Sequence, residues 1–189
     1  MLPGQRIGSL IGAGFGLVYV EINAASLAPV ISGVARIAGA LLFVAALALL
    51  VAGRRPARAA GPPVGHGFGR GYLVVVGVEL AAIVVGARLL TGVLGLPHAV
   101  VAWISVVVGL HFVVLAILWR SRLFHLLGAA IALCGAAGLA AAGAGLPDAV
   151  VAGTGGVVPG FLLLAAGCSG AARTLSASRG ASRDERENR

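Results

Sequence analysis

The chain of 189 residues is 59% hydrophobic and 11% charged, with a mean hydropathy of +1.04, which excludes a water-soluble globule because too little polar surface exists to cover one. Its formal net charge of +8 rests on 14 basic residues, all of them arginine. Basic segments that alternate with apolar runs fit membrane orientation and anionic headgroups better than nucleic acid, and the Arg, Ala, Gly and Val bias matches a high-GC bacterial coding sequence.

Six apolar runs, near 7–25, 31–52, 71–94, 98–119, 123–144 and 149–170, are each long enough to cross a hydrocarbon core of about 30 Å. The core offers the backbone no water, so each run is a helix or part of a closed barrel, and continuous apolarity without alternation excludes the barrel. The expected fold is all-α: a polytopic membrane bundle of about six transmembrane helices, arranged as hairpins over residues 1–172.

In the first span Gly8, Gly12 and Gly16 make GxxxGxxxG, a spacing that lets another helix approach closely. The overlapping GAGFG is no dinucleotide fingerprint, because Leu17 stands where the third glycine belongs. Glu21 and four glycines make a poor apolar core for a cleaved leader, so the span is expected to be retained. Glu21 and Arg36 lie nearly symmetrically about Ala28 and are expected to meet near the outer end. Arg88 falls at a similar level as a second guanidinium, with Trp103 offering it a cation–π alternative. That ion-pair cluster is read as structural, with an external anion site as the sharper alternative.

The linker 53–70 is rich in Arg, Pro and Gly and reads as an extended cytoplasmic loop. Together with Arg6, Arg120, Arg122 and the basic segment after span six, it places both termini in the cytoplasm of a cytoplasmic-membrane protein. Tyr72 and Trp119 would then mark the inner interface, and Tyr19 and Trp103 the outer one.

Glu79 and His111 are the strongest candidates for chemistry. They lie at nearly equal distances from the turn at Leu96, so antiparallel helices set them within about 3 Å in depth. Ala82 and Gly86 continue the Glu79 face as a small-residue stripe of the kind that meets another helix. A carboxylate beside an imidazole inside the membrane either locks two helices or shares and relays a proton.

GLPHAVVA (Gly95–Ala102) recurs as GLPDAVVA (Gly145–Ala152), and an offset of 50 also matches Ala82 with Ala132 and Val107 with Val157. This suggests a hairpin repeat, 71–119 and 123–170, whose copies have the same orientation. The stretch VVVGLHFVVLA (Val106–Ala116) followed by LFHLLGA (Leu123–Ala129) resembles an uncharacterised family of small bacterial multispan membrane proteins with a GLHF-centred helix. That resemblance implies a multispan membrane protein and brings no activity, substrate or cofactor. The paired GLP turns are loosely similar to repeat-built six-span proteins associated with acid stress, and no residues carry over.

In span six, Gly155, Gly156, Pro159 and Gly160 weaken the helix in mid-membrane, with a kink expected at Pro159. From 173 to 189 the polar composition predicts a disordered cytoplasmic tail. Cys134 and Cys168 fall at different depths and are not expected to pair, and neither metal-ligand spacing nor any enzyme signature is present. His66, His98 and His125 sit at edges or in loops, where a solvated histidine is the default.

The sequence therefore leads to a non-enzymatic accessory or stress-related membrane protein, without catalytic residues, metal or cofactor. Its expected partners are the bilayer and a second copy or another membrane protein, with no nucleic acid. The alternative is a small-solute or proton-coupled transporter using Glu79 and His111.

Overall fold

The computed structural model describes residues 3–53 and 70–187, and every long element in it is a helix. In chain order these are α1 (Pro3–Asn23), α2 (Pro29–Ala52), α3 (Arg70–Gly92), α4 (Val100–Trp119), α5 (Arg122–Gly143), the short α6 (Asp148–Ala152) and α7 (Val158–Glu187). A π-helical segment, Gly153–Val157, joins α6 to α7. Six stretches are long and apolar enough to cross a membrane, the last running Asp148–Arg173 through α6, the π segment and α7.

The turns follow from their residues. Pro29 opens α2 at a position where its missing N–H is no loss. Gly95 and Gly145 hold φ of +65° and +70°, the left-handed region that a side chain disfavours, which is why glycine leads both GLP turns. On the opposite face, Arg120 takes the same region at φ +51° as the cap of α4, and Ser121 N–H closes the turn on Ala116 O at 3.0 Å. Arg6 donates to Leu50 O at 2.6 Å, placing a guanidinium on the negative end of α2.

Two apolar clusters fill the bundle. Ala13, Val20, Ala46, Val157 and Leu164 bring α1, α2 and the last span together. Leu90, Ala99, Ala102, Ala141, Ala142 and Val151 join the parts of α3 to α6 nearest the two GLP turns. The closest pairings are α4 with α5 and α1 with α7, while α3 packs chiefly on α4 at the edge.

Small residues set these spacings, but not all those expected. Gly16 lies directly on the backbone of Gly160 and Leu164, and Ala13 and Ser9 face Gly167. Gly8 and Gly12 have open space where a side chain would stand, so the face of α1 that meets α7 runs through Ser9, Ala13, Gly16 and Val20. That row advances by threes and fours, as a crossing helix requires, rather than along one line of fours.

The last span is irregular where the sequence predicts it, with the π turn ending just before the buried Pro159. Past the sixth apolar stretch, which ends at Arg173, α7 continues to Glu187, where composition predicts an unordered tail. An existing helix extends without a new nucleus, and the Ala, Arg, Leu and Glu of this segment favour extension. Of the expected cytoplasmic loop, 53–70, residues 54–69 lie outside the described residues, as do the side chains of Tyr72 and Trp119.

Candidate intramembrane polar site

The facing helices α3 and α4 bring Glu79 and His111 together, with His111 Nδ1 3.0 Å from Glu79 Oε2. Their side chains are only 17% and 11% exposed. The separation is that of a charge-assisted hydrogen bond, but Nδ1 is off the line of one, so the contact is an ion-pair or proton-sharing approach that a small rotation would align. The His111 ring meets Phe112 edge-on at 5.9 Å, and Phe112 stacks on Phe124 of α5 at 5.8 Å.

The same seam continues along α3 toward the turn at Leu96. Trp103 Nε1 donates to Ala82 O at 3.0 Å, and the absence of a side chain at Gly86 is what admits the indole. Glu79, Ala82 and Gly86 thus form one contact stripe. Trp103, expected in the outer aromatic belt, is instead spent on holding α3 against α4.

Tyr19 departs from the same belt expectation. Its phenol oxygen is buried and has no hydrogen-bond partner of good geometry among the described residues. Ser105, fully buried on α4, donates to Gly155 O at 2.5 Å. Gly155 is the carbonyl four residues before Pro159, which has no N–H to offer it, so the hydroxyl from α4 supplies a donor the helix lacks. Asn23, also buried, donates to Tyr19 O at 2.7 Å in a space that Gly156 leaves open.

At the GLP turns, Asn23, Ser26, Pro97, His98 and Asp148 line an open cavity of about 430 Å³. His98 Nδ1 and Asp148 Oδ1 stand 4.0 Å apart, joining the one position at which the two GLP motifs differ. A second cavity of about 360 Å³ lies between the apolar faces of α5 and α7, lined by Leu123, Leu126 and Leu162 among others.

Glu21 and Arg36 meet as the first hairpin's symmetry predicts, at 3.7 Å, with Arg36 also donating to Glu21 O at 3.3 Å. Arg88 is exposed on α3 and takes no part in that pair, so the expected three-residue cluster reduces to two. Both partners are more than two-fifths exposed, and such a pair contributes at most about 1 kcal/mol. Cys134 and Cys168 are free thiols, the latter donating to Leu42 O at 3.3 Å. Among the described residues no three His, Cys, Asp or Glu side chains gather as a metal site would require.

Tyr19, Ser105, Asn23 and Gly155 were not legible as a site from their own positions. The available signal for Ser105 was Pro159, which orphans a carbonyl and so calls for a donor on a neighbouring helix. Comparison of the chain with known protein families, with curated proteins and with solved structures gives no match.

Proposed function

We propose that the chain is a non-enzymatic, multi-pass protein of the cytoplasmic membrane, with both termini inside, whose embedded polar groups lock its helices together. The observation that supports this most is the Glu79–His111 approach at 3.0 Å, with Trp103 on Ala82 O along the same stripe. Both contacts hold α3, the helix with least apolar contact to the rest of the bundle, against α4. Neither cavity described above is lined by Glu79 or His111. Interhelical polar contacts in membranes typically contribute about 0.6 kcal/mol and up to about 2 kcal/mol, enough to fix the position of one edge helix.

The arginine distribution supports the orientation. The two GLP turns, with glycine in the same left-handed conformation, support descent of the α3–α4 and α5–α7 hairpins from one repeated unit. In this reading the protein acts through packing, with a second copy or another membrane protein as partner.

The test is Glu79→Gln in purified protein and in liposomes. The lock reading expects easier unfolding in detergent and no Glu79-dependent solute or proton flux. A wild-type flux of protons or small solutes that Glu79→Gln abolishes would replace it with the transporter reading.

A further inference from the structure

We infer that the apolar cavity between α5 and α7 is a binding site for one anionic phospholipid, with an acyl chain lying in the groove and the phosphate held at its end by Arg122 and Arg173. The inference goes beyond helix locking, because it assigns a ligand to a face that the Glu79–His111 pair does not line.

The groove exists because its two walls are drawn apart. Toward the GLP turns α5 touches the π segment of the last span, where a side chain at Gly138 would come within 3.0 Å of Gly155 Cα. From there each helix follows a different neighbour. Gly128 and Ala132 of α5 lie against Gly109 of α4, while Gly160 and Gly167 of α7 lie against Gly16 and Ala13 of α1. The π turn and Pro159 fall between the shared contact and the divergence.

What the divergence leaves is a slot of about 360 Å³, walled by Leu123, Leu127 and Ala130 from α5 and by Leu162, Ala166 and Ser169 from α7. Each wall advances about 10 Å along its helix. Ser169 donates its hydroxyl to Ala166 O at 2.9 Å, so the polar side chain in the lining is turned back on its own helix and the slot offers hydrocarbon. That shape and chemistry suit an acyl chain lying along the helices.

One end of the slot is positively charged. Leu123 and Ser169 mark the end at which the apolar stretches of both walls finish, at Arg122 and Arg173. Arg122 directly precedes Leu123, and Arg173 follows Ser169 by one turn on the face that carries Leu162 and Ala166. Arg120, in the turn before α5, adds a third guanidinium at this end. All three are exposed, and among the described residues none pairs with a carboxylate. Hydrocarbon followed by unpaired guanidinium groups is the order of parts that complements an anionic phospholipid, and a guanidinium binds phosphate oxygens two at a time. A second copy of the chain suits this groove less well. Two-fold packing through the same face brings each arginine toward its own copy, with no carboxylate to offset the repulsion.

The test reconstitutes the purified full chain in nanodiscs of phosphatidylcholine and phosphatidylglycerol in equal amounts, and counts the lipids retained on the released protein by native mass spectrometry. Attraction of anionic lipid by a basic residue near the surface amounts to about fivefold, so two arginines should give retention of one phosphatidylglycerol per chain over phosphatidylcholine by roughly twentyfold. Arg122→Gln combined with Arg173→Gln should bring that preference near parity, whereas the pair of lysine substitutions should keep most of it. Arg88→Gln, on α3 near the GLP turns, should leave it intact. Ala166→Trp fills the slot and should release the retained lipid, with far-UV circular dichroism confirming that each variant is folded. Equal retention of the two lipids by the wild type overturns the inference, as does a preference that survives the glutamine pair. Retention undiminished in Ala166→Trp overturns the groove as the site. A homodimer that Ala166→Trp dissociates would give the groove to a second copy and overturn the lipid assignment.

Discussion

Replacing Gly16 by alanine should weaken the protein, whereas the same change at Gly8 or Gly12 should not. At position 16 the new Cβ would stand 2.7 Å from Gly160 O, 2.8 Å from Leu164 N and 2.9 Å from Leu164 Cγ. Two of these three are backbone atoms, so no rotamer change relieves them. Opening the shortest contact from 2.7 to an ordinary 3.4 Å separates α1 from α7 locally by about 0.7 Å. A gap of that size forfeits about a quarter to a half of the dispersion energy of each neighbouring contact, and overpacking of this kind costs about 1–3 kcal/mol. Gly8 and Gly12 meet nothing within 4 Å, so alanine there gains helix propensity and should be neutral or stabilising by up to about 1 kcal/mol. The assay is unfolding of the detergent-solubilised protein by added dodecyl sulfate, followed by far-UV circular dichroism. Equal stability of Gly16→Ala and Gly12→Ala would refute the assignment of the α1–α7 contact face.

A double-mutant cycle of Glu79→Gln with His111→Ala in the same assay should give a coupling of about 0.5–2 kcal/mol, and zero coupling would mean the two side chains do not interact in the membrane. Trp103→Phe should lose about 0.5–1.5 kcal/mol by deleting the donor to Ala82 O, and an unchanged midpoint would show that bond to be unimportant. With Cys134 and Cys168 replaced, cysteines at Ala59 and Ser176 should label from the cytoplasmic side and one at the exposed Leu146 from outside. Outside labelling at Ser176 would invert the orientation.

Depth is what a membrane sequence encodes most openly, and azimuth is what it withholds. Six runs of sufficient length announced six helices, and equal spacing from Leu96 put Glu79 level with His111. The small stripe Ala82–Gly86 added the azimuth that brings that pair to 3.0 Å. Tyr19 and Trp103 were assigned to the lipid interface, yet the Tyr19 oxygen is buried and the Trp103 indole bonds Ala82 O, because the aromatic-belt rule reads distance from the headgroups and says nothing of which side of the helix faces the bundle. The glycine row failed for the same reason: GxxxGxxxG defines a face of α1, while the crossing with α7 selects the neighbouring face through Ala13 and Gly16. Ser105 was silent because a lone hydroxyl in an apolar helix ordinarily bonds to its own backbone one turn back. Its true partner lies 50 residues away, and only the defect at Pro159 betrays it.

That defect can be probed directly, since Ser105 and Pro159 act on one atom. The Gly155 carbonyl loses its α-helical donor because Pro159 has no N–H, and Ser105 donates to it at 2.5 Å inside a fully buried site. Ser105→Ala should therefore cost about 1–3 kcal/mol, the penalty of withdrawing a donor from a buried carbonyl. Pro159→Ala returns an N–H four residues ahead of Gly155 and lets the π turn relax toward regular helix, so the carbonyl no longer depends on α4. In that background Ser105→Ala should cost at least about 0.5 kcal/mol less than in the wild type, a non-additivity beyond the 0.3–0.5 kcal/mol seen for independent sites. Strict additivity would show that Ser105 and Pro159 act independently.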